Sequence, residues 1–175
     1  MKVPEPLIAE ILDGELIQSP RPGLRHATSA SVLGAQLLAS FHGPAGGPGV
    51  PGGWWILFEP ELHLHGDVAV PDLAGWRHER MPVIPDVAFV ELPPDWVCEV
   101  VSPRREEVDR VRKMPMYARE RVQHLWLVNP VERTLEVYGL EAGRWVVVSA
   151  HAGDERVRAA PFTAVELDMA RWWIP

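Results

Sequence analysis

Three side chains offer the most distinct chemistry in this sequence: Asp72 at the end of "DVAVPD", Glu99 at the centre of "WVCEVVSP", and Lys113. Trp, Val and Cys around Glu99 suit a strand covered on both faces. A carboxylate there must find a cation or give up its charge. Asp72 closes an alternating strand, so an antiparallel neighbour would set it beside Glu99, roughly 5 Å away. Two acids that close repel unless a cation joins them, and hard divalent ions with oxygen ligands, Mg²⁺ or Mn²⁺, do this. The plainer alternatives are an arginine partner for Glu99 and a turn role for Asp72 after its proline. Two further Pro-Asp pairs place Asp86 in an irregular stretch and Asp95 four residues before Glu99. Four residues of strand span about 13 Å, too far to share one ion.

Lys113 stands out by scarcity. The 17 basic residues are 15 arginines and two lysines, Lys2 at the terminus and Lys113 inside the chain. A compact amine and a planar guanidinium are not interchangeable beside a reacting atom. Helical phase opposes a catalytic role: Asp109, four residues earlier, would make a surface ion pair with Lys113. A kink at Pro115 would have to bring the amine inward.

The elements that must position these residues follow from periodicity. Asp13-Gly14 between two apolar runs predicts a hairpin. Ala30, Leu33, Leu37, Leu38 and Phe41 recur at helical spacing, predicting a helix over 24–41. The Gly/Pro stretch 42–53 reads as a flexible loop. Strands are expected at 54–58, 61–65 and 67–73, with 75–95 irregular. After the Glu99 strand, a second helix should run from Ser102 or Pro103 with Val108, Val111, Pro115, Ala118 and Val122 as its apolar stripe. A strand at 124–130 and a hairpin turning at Glu141-Ala142-Gly143, read as a β appendage, complete the order. This predicts one α+β (α/β-like) domain over 1–175: a mixed central sheet flanked by helices, with extra hairpins.

Composition narrows the function. The chain is 175 residues, 47% hydrophobic and 23% charged, with net charge −7. That charge argues against a non-specific nucleic-acid binder. No apolar stretch suits a membrane span and the start lacks a signal-peptide core, so a cytoplasmic protein is expected. One cysteine, Cys98, rules out an internal disulfide. It alternates to the face opposite Glu99 and reads as packing. His63 and His65 in "HLH" form a weak transition-metal pattern, here read as ordinary strand polar residues.

The blocks "VPDLAGW", "PDWVCEVVSP" and "DRVRKMPMYARERVQHLWLVNP" closely resemble the Uma-two family of bacterial endonucleases, within the PD-(D/E)XK restriction-endonuclease-like superfamily. The likeness runs from "LDGELI" to "TLEVY". It implies a restriction-endonuclease-like core, Asp72 and Glu99 as metal-binding acids with Mg²⁺ or Mn²⁺, DNA as substrate and a homodimeric assembly. The usual lysine two residues after the Glu is replaced by Val101, and the resemblance implies that Lys113 takes its place. Glu15 and His26 match positions bordering the site. Arg104, Arg121 and Asn129 depart from a common serine, glycine and aspartate.

The reading that follows is phosphodiester hydrolysis, with Asp72, Glu99 and the Val100 carbonyl holding the metal and Lys113 orienting water or offsetting charge. Seven basic residues between Arg104 and Arg121 are expected to face a phosphate backbone. The rival reading is a nuclease fold that binds DNA or protein without cutting.

Overall fold

The computed structural model describes residues 7–46, 50–103 and 105–174. Lys2, Arg104 and the middle of the Gly/Pro stretch lie outside them. A six-stranded mixed sheet runs β10-β9-β8-β7-β6-β3, built from Trp54–Phe58 (β3), Leu73–Arg77 (β6), Trp96–Val100 (β7), His124–Asn129 (β8), Thr134–Glu141 (β9) and Arg144–Ala152 (β10). Only β7 and β8 are parallel; the helical crossover between them is what parallel pairing requires. A smaller antiparallel sheet joins Leu7–Leu12 (β1), Glu15–Pro20 (β2), Leu62–Leu64 (β4) and Asp67–Ala69 (β5) in the order β2-β1-β5-β4.

Helix α1 (Leu24–Phe41) has the predicted bounds. Leu33, Leu37 and Phe41 bury one stripe against Trp54, Leu73, Trp96 and Cys98. The C-terminal segment covers the same face, pinned where Gln36 bonds the backbone of Asp168 on both sides and the Ser29 hydroxyl donates to the Trp172 carbonyl. The opposite face packs the small sheet and a short helix, α2 (Met114–Arg119), around Leu12, Trp76, Val97, Val101 and Tyr117. Alternation along β7 thus sends Cys98 to one core and Glu99 toward the other.

The β1–β2 hairpin forms as predicted, with both turn residues at positive φ (Asp13 52°, Gly14 77°), the backbone that Asp-Gly accommodates. The strand expected over 67–73 divides instead. Val70-Pro71 interrupts it, β5 stays in the small sheet, and β6 crosses into the large one. Proline cannot donate to a ladder, which places the break. The irregular stretch therefore begins only after Arg77. Of the stretch 42–53, the described ends are tied down: Gly43 donates to Trp54 at 2.9 Å and Gly52 to Ser40 at 3.0 Å. The expected appendage is half integral, since β9 pairs along all of β8.

The largest difference is the second helix. Residues Val108–Lys113 form a π-helical segment leading directly into α2, and Met114 N–H reaches back five residues to the Asp109 carbonyl. The wider turn shifts the phase. Val111 is 61% exposed, whereas Asp109, Lys113, Met116 and Tyr117 are buried. The kink proposed at Pro115 is not what turns Lys113 inward; Pro115 sits at the start of α2, where its missing N–H costs little.

Gly75 on β6 is packed on both sides by tryptophan. A Cβ there would lie 3.2 Å from the Trp96 ring and 3.3 Å from the Trp54 ring. Gly75→Ala should lower stability by about 1–3 kcal/mol, the usual penalty for overpacking against rigid neighbours, measurable as a reduced urea midpoint with unchanged slope.

Candidate active site

The β6–β7 ladder pairs Leu73 with Cys98. One step further in that register sets Asp72 opposite Glu99. Asp72 is fixed on two sides: the Val100 N–H donates to Oδ2 at 2.6 Å, and His26 Nε2 from the first turn of α1 lies 3.2 Å from Oδ1. The expected apposition of the two acids is what the fold provides.

Lys113 closes the arrangement from the π-helical segment. Its Nζ lies 3.2 Å from both oxygens of Glu99, 2.9 Å from Glu10 Oε1 and 3.8 Å from Asp109 Oδ1, with the ammonium almost wholly enclosed. The surface pairing expected between Lys113 and Asp109 is therefore a buried contact in a larger cluster. Tyr117, one turn on, donates its hydroxyl to Glu99 Oε1 at 2.7 Å. Glu10 arrives on β1, accepts from the Val70 N–H at 2.9 Å, and pairs with Arg105.

The electrostatics are those of an excess of acid. Glu10, Asp72, Glu99 and Asp109 meet two permanent cations, Lys113 and Arg105. Burial pushes the Glu99 carboxyl up; Lys113 offsets this only in part, and Asp109, Asp72 and Glu10 push further, to about 8. Asp109 is raised to about 6 mainly by burial. Burial alone would also raise Glu10, but Lys113, the Val70 amide and Arg105 together hold it low. Burial would lower Lys113, but Glu99, Glu10 and Asp109 outweigh it and hold the amine charged.

Asp72, Glu99, Val100, Lys113, His26 and Arg105 line one cleft of about 530 Å³. Among the described residues no group of three or more His, Cys, Asp or Glu is arranged to hold a metal. Two facing carboxylates in a negative cleft nevertheless suit Mg²⁺, which binds through one or two carboxylates and keeps several waters. The donors and the uncompensated charge fit a hard divalent cation.

The remaining sequence candidates fall elsewhere. Glu15 is exposed on the hairpin, paired with Arg112, and does not line the cleft. Among the described residues of the basic run, Arg105, Arg110, Arg112, Lys113 and Arg119 sit in ion pairs with the chain's own carboxylates. His63 bonds Glu61 and stacks on Phe89, while His65 lies in a turn and bonds Glu120, so the two share no ligand. Asp95 accepts from the Arg77 N–H and from Arg80, a structural role. Cys98 is fully buried, and desolvation raises its thiol well above the ordinary range. Glu10, Arg105 and Tyr117 are site residues that the sequence reading does not single out, and Asp109 enters the site rather than a surface pair. Glu10 had a signal: it stands between Ile8 and Leu12 on the inward phase of an alternating strand, an unusual place for a charge.

A mixed sheet that presents two acids from adjacent strands and an amine from the following helix defines a restriction-endonuclease-like fold. A crystal structure from Anabaena variabilis, titled "a putative nuclease belonging to DUF820", has a TM-score of 0.75 to this chain at 19% identity, covering 94% of this chain and 88% of that one. The family model for Uma2, described as "Putative restriction endonuclease", matches residues 2–170, and the chain belongs to that family. None of the curated proteins matches it. Two departures from the family pattern are accommodated locally. Arg121 adopts φ 60°, the conformation that favours glycine. Asn129 Oδ1 accepts from the Val131 and Glu132 N–H groups, as an aspartate would.

A carboxyl raised in the folded state stabilises fully below its ordinary value and loses that contribution as pH rises through the raised one. For Glu99 the window runs from 4.5 to about 8. Metal-free protein should lose thermal stability across the upper part of this window, between pH 6.5 and 8.5. Glu99→Gln should flatten the slope, a comparison that cancels the histidines titrating in the same range. Equal slopes for both proteins would show that Glu99 does not titrate there.

Proposed function

We propose that this protein is a metal-dependent endonuclease that hydrolyses phosphodiester bonds of DNA. The observation that carries the reading is the meeting of Asp72, Glu99 and Lys113, from two strands and a helix, on the floor of one cleft. Family membership supports DNA as substrate. Asp72, Glu99 and the Val100 carbonyl would hold Mg²⁺ or Mn²⁺. When bound, the ion would lower the pKa of a water and offset phosphate charge. The chain's own residues supply the rest. Lys113, kept charged by its carboxylates, places a compact positive charge beside the reacting phosphate. His26 holds Asp72 through Nε2, while its buried Nδ1 has no partner among the described residues. Glu15 has no direct part. A homodimer belongs to this reading, supported by the exposed valines 146–148 on the free edge strand β10, since a long apolar edge invites pairing.

The rival, a nuclease fold that binds without cutting, draws on one observation: Lys113 and its neighbouring arginines are already committed to ion pairs. The two readings part on activity and metal. Wild type should nick supercoiled plasmid with Mn²⁺ and gain thermal stability from Mg²⁺ at pH 8; Asp72→Asn should do neither. Lys113→Arg should also fail to cut. The larger guanidinium enters an enclosed site, so this variant should lose about 1–3 kcal/mol of stability, and cutting is compared below both melting temperatures. Equal cutting by Lys113→Arg would remove Lys113 from the mechanism. A wild type inert to both metals would favour the binding module.

A further inference from the structure

The two oxygens of Glu99 are not equivalent. Oε1 accepts the Tyr117 hydroxyl at 2.7 Å and also contacts Lys113 at 3.2 Å, whereas among the described residues Oε2 is hydrogen-bonded only by Lys113, at 3.2 Å. The Tyr117 ring is fully buried among Val97, Val101, Val122 and Leu125, so the hydroxyl has little freedom to move. Its position depends on the π-helical segment. Asp109, Lys113 and Tyr117 are spaced by four residues, a step that overshoots an α turn and undershoots the wider π turn, so the two drifts offset and all three face Glu99. Building on the nuclease reading above, we propose that Tyr117 is a positioning residue: it holds Glu99 through Oε1 so that Oε2 is presented to the metal. Losing a hydrogen bond that orients a carboxylate ligand typically costs about 10–100-fold in metal affinity or activity. The tyrosine touches neither the substrate nor the metal; it acts through Glu99.

The test is Tyr117→Phe, which keeps the ring and removes only the hydroxyl, beside Tyr138→Phe as a control. Tyr138 also donates its hydroxyl to a carboxylate, Glu136, but does not line the cleft. Mn²⁺ binding is measured by calorimetry and plasmid nicking by initial rates. Tyr117→Phe should bind Mn²⁺ about tenfold more weakly at unchanged stoichiometry. Its kcat should fall while its KM for DNA stays near that of wild type, and Tyr138→Phe should match wild type in both assays. Unchanged Mn²⁺ affinity in Tyr117→Phe, with a wild type that binds and cuts, overturns the positioning role alone. A wild type that neither binds Mn²⁺ nor cuts overturns the nuclease reading, and this inference with it. If Tyr117→Phe melts below the assay temperature, wild type decides by NMR. The Tyr117 hydroxyl proton should remain protected from exchange when Mg²⁺ saturates the protein, and its loss on saturation would mean that the bond merely fills the empty site.

Discussion

The enclosed ammonium of Lys113 is the interaction on which the rest of the site depends. Removing an amine from water costs several kcal/mol, and its neighbours must return that cost through charge and hydrogen bonding. Three carboxylates do so here, and each comes from a different part of the chain: Glu10 from the β1–β2 hairpin, Glu99 from the central sheet, Asp109 from the same π-helical segment. The cluster therefore ties the small sheet, the large sheet and the helical crossover to one point. It also explains why a 12-residue helical stretch that begins as a π-helix is tolerated. An uninterrupted α-helix would turn Lys113 or Tyr117 away from Glu99, leaving buried acids without their partners. Widened turns of this kind are frequent at functional sites.

The cluster is over-acidic, and that imbalance is where stability and function diverge. A core arranged only for stability would match four acids with four cations or replace them with apolar groups. Here Glu99 is left raised to about 8 with Asp72 across the ladder from it. Four acids against two permanent cations leave the cluster short of positive charge at a cleft open to solvent. A divalent ion bound there would relieve the repulsion, and by mass action would stabilise the fold that holds it.

What the sequence reveals of this arrangement follows its range of interaction. The hairpin at Asp13-Gly14 and the helix over 24–41 are local, set by turn chemistry and periodicity, and both were legible to the residue. The apposition of Asp72 and Glu99 was legible because alternating strands fix which residues share a face, and the resemblance matched the same two residues to metal-binding acids. The phase of the second helix was not. Its π-helical segment responds to partners far away in sequence, Glu10 lying 103 residues before Lys113 (113 − 10), and Val111, counted in the apolar stripe, stands in solvent. The same blindness applies to the basic run from Arg105 to Arg119. Composition shows cations, but only the fold shows that Glu10, Glu136, Glu15 and Asp67 already hold them.

Position 101, where the resemblance leads to the expectation of a lysine two residues after the Glu, carries a valine. Val101 follows Glu99 by two residues and packs in the same core, on the face that carries Glu99. A lysine there would approach Glu99 from the strand itself. With valine the position is fully apolar and continues the packing of Val97 and Tyr117. The amine comes instead from the helix, 14 residues after Glu99 (113 − 99), and reaches the same carboxylate. Under the proposed nuclease function, the chemistry would constrain where a positive charge stands, not which backbone carries it. The cost of that relocation is structural: a lysine on the strand needs only the pleat to aim it, whereas Lys113 needs the π-helical turn to bring it in and Glu10 and Asp109 to keep it there. Side chains that never touch a substrate are in this way drawn into the architecture of the site.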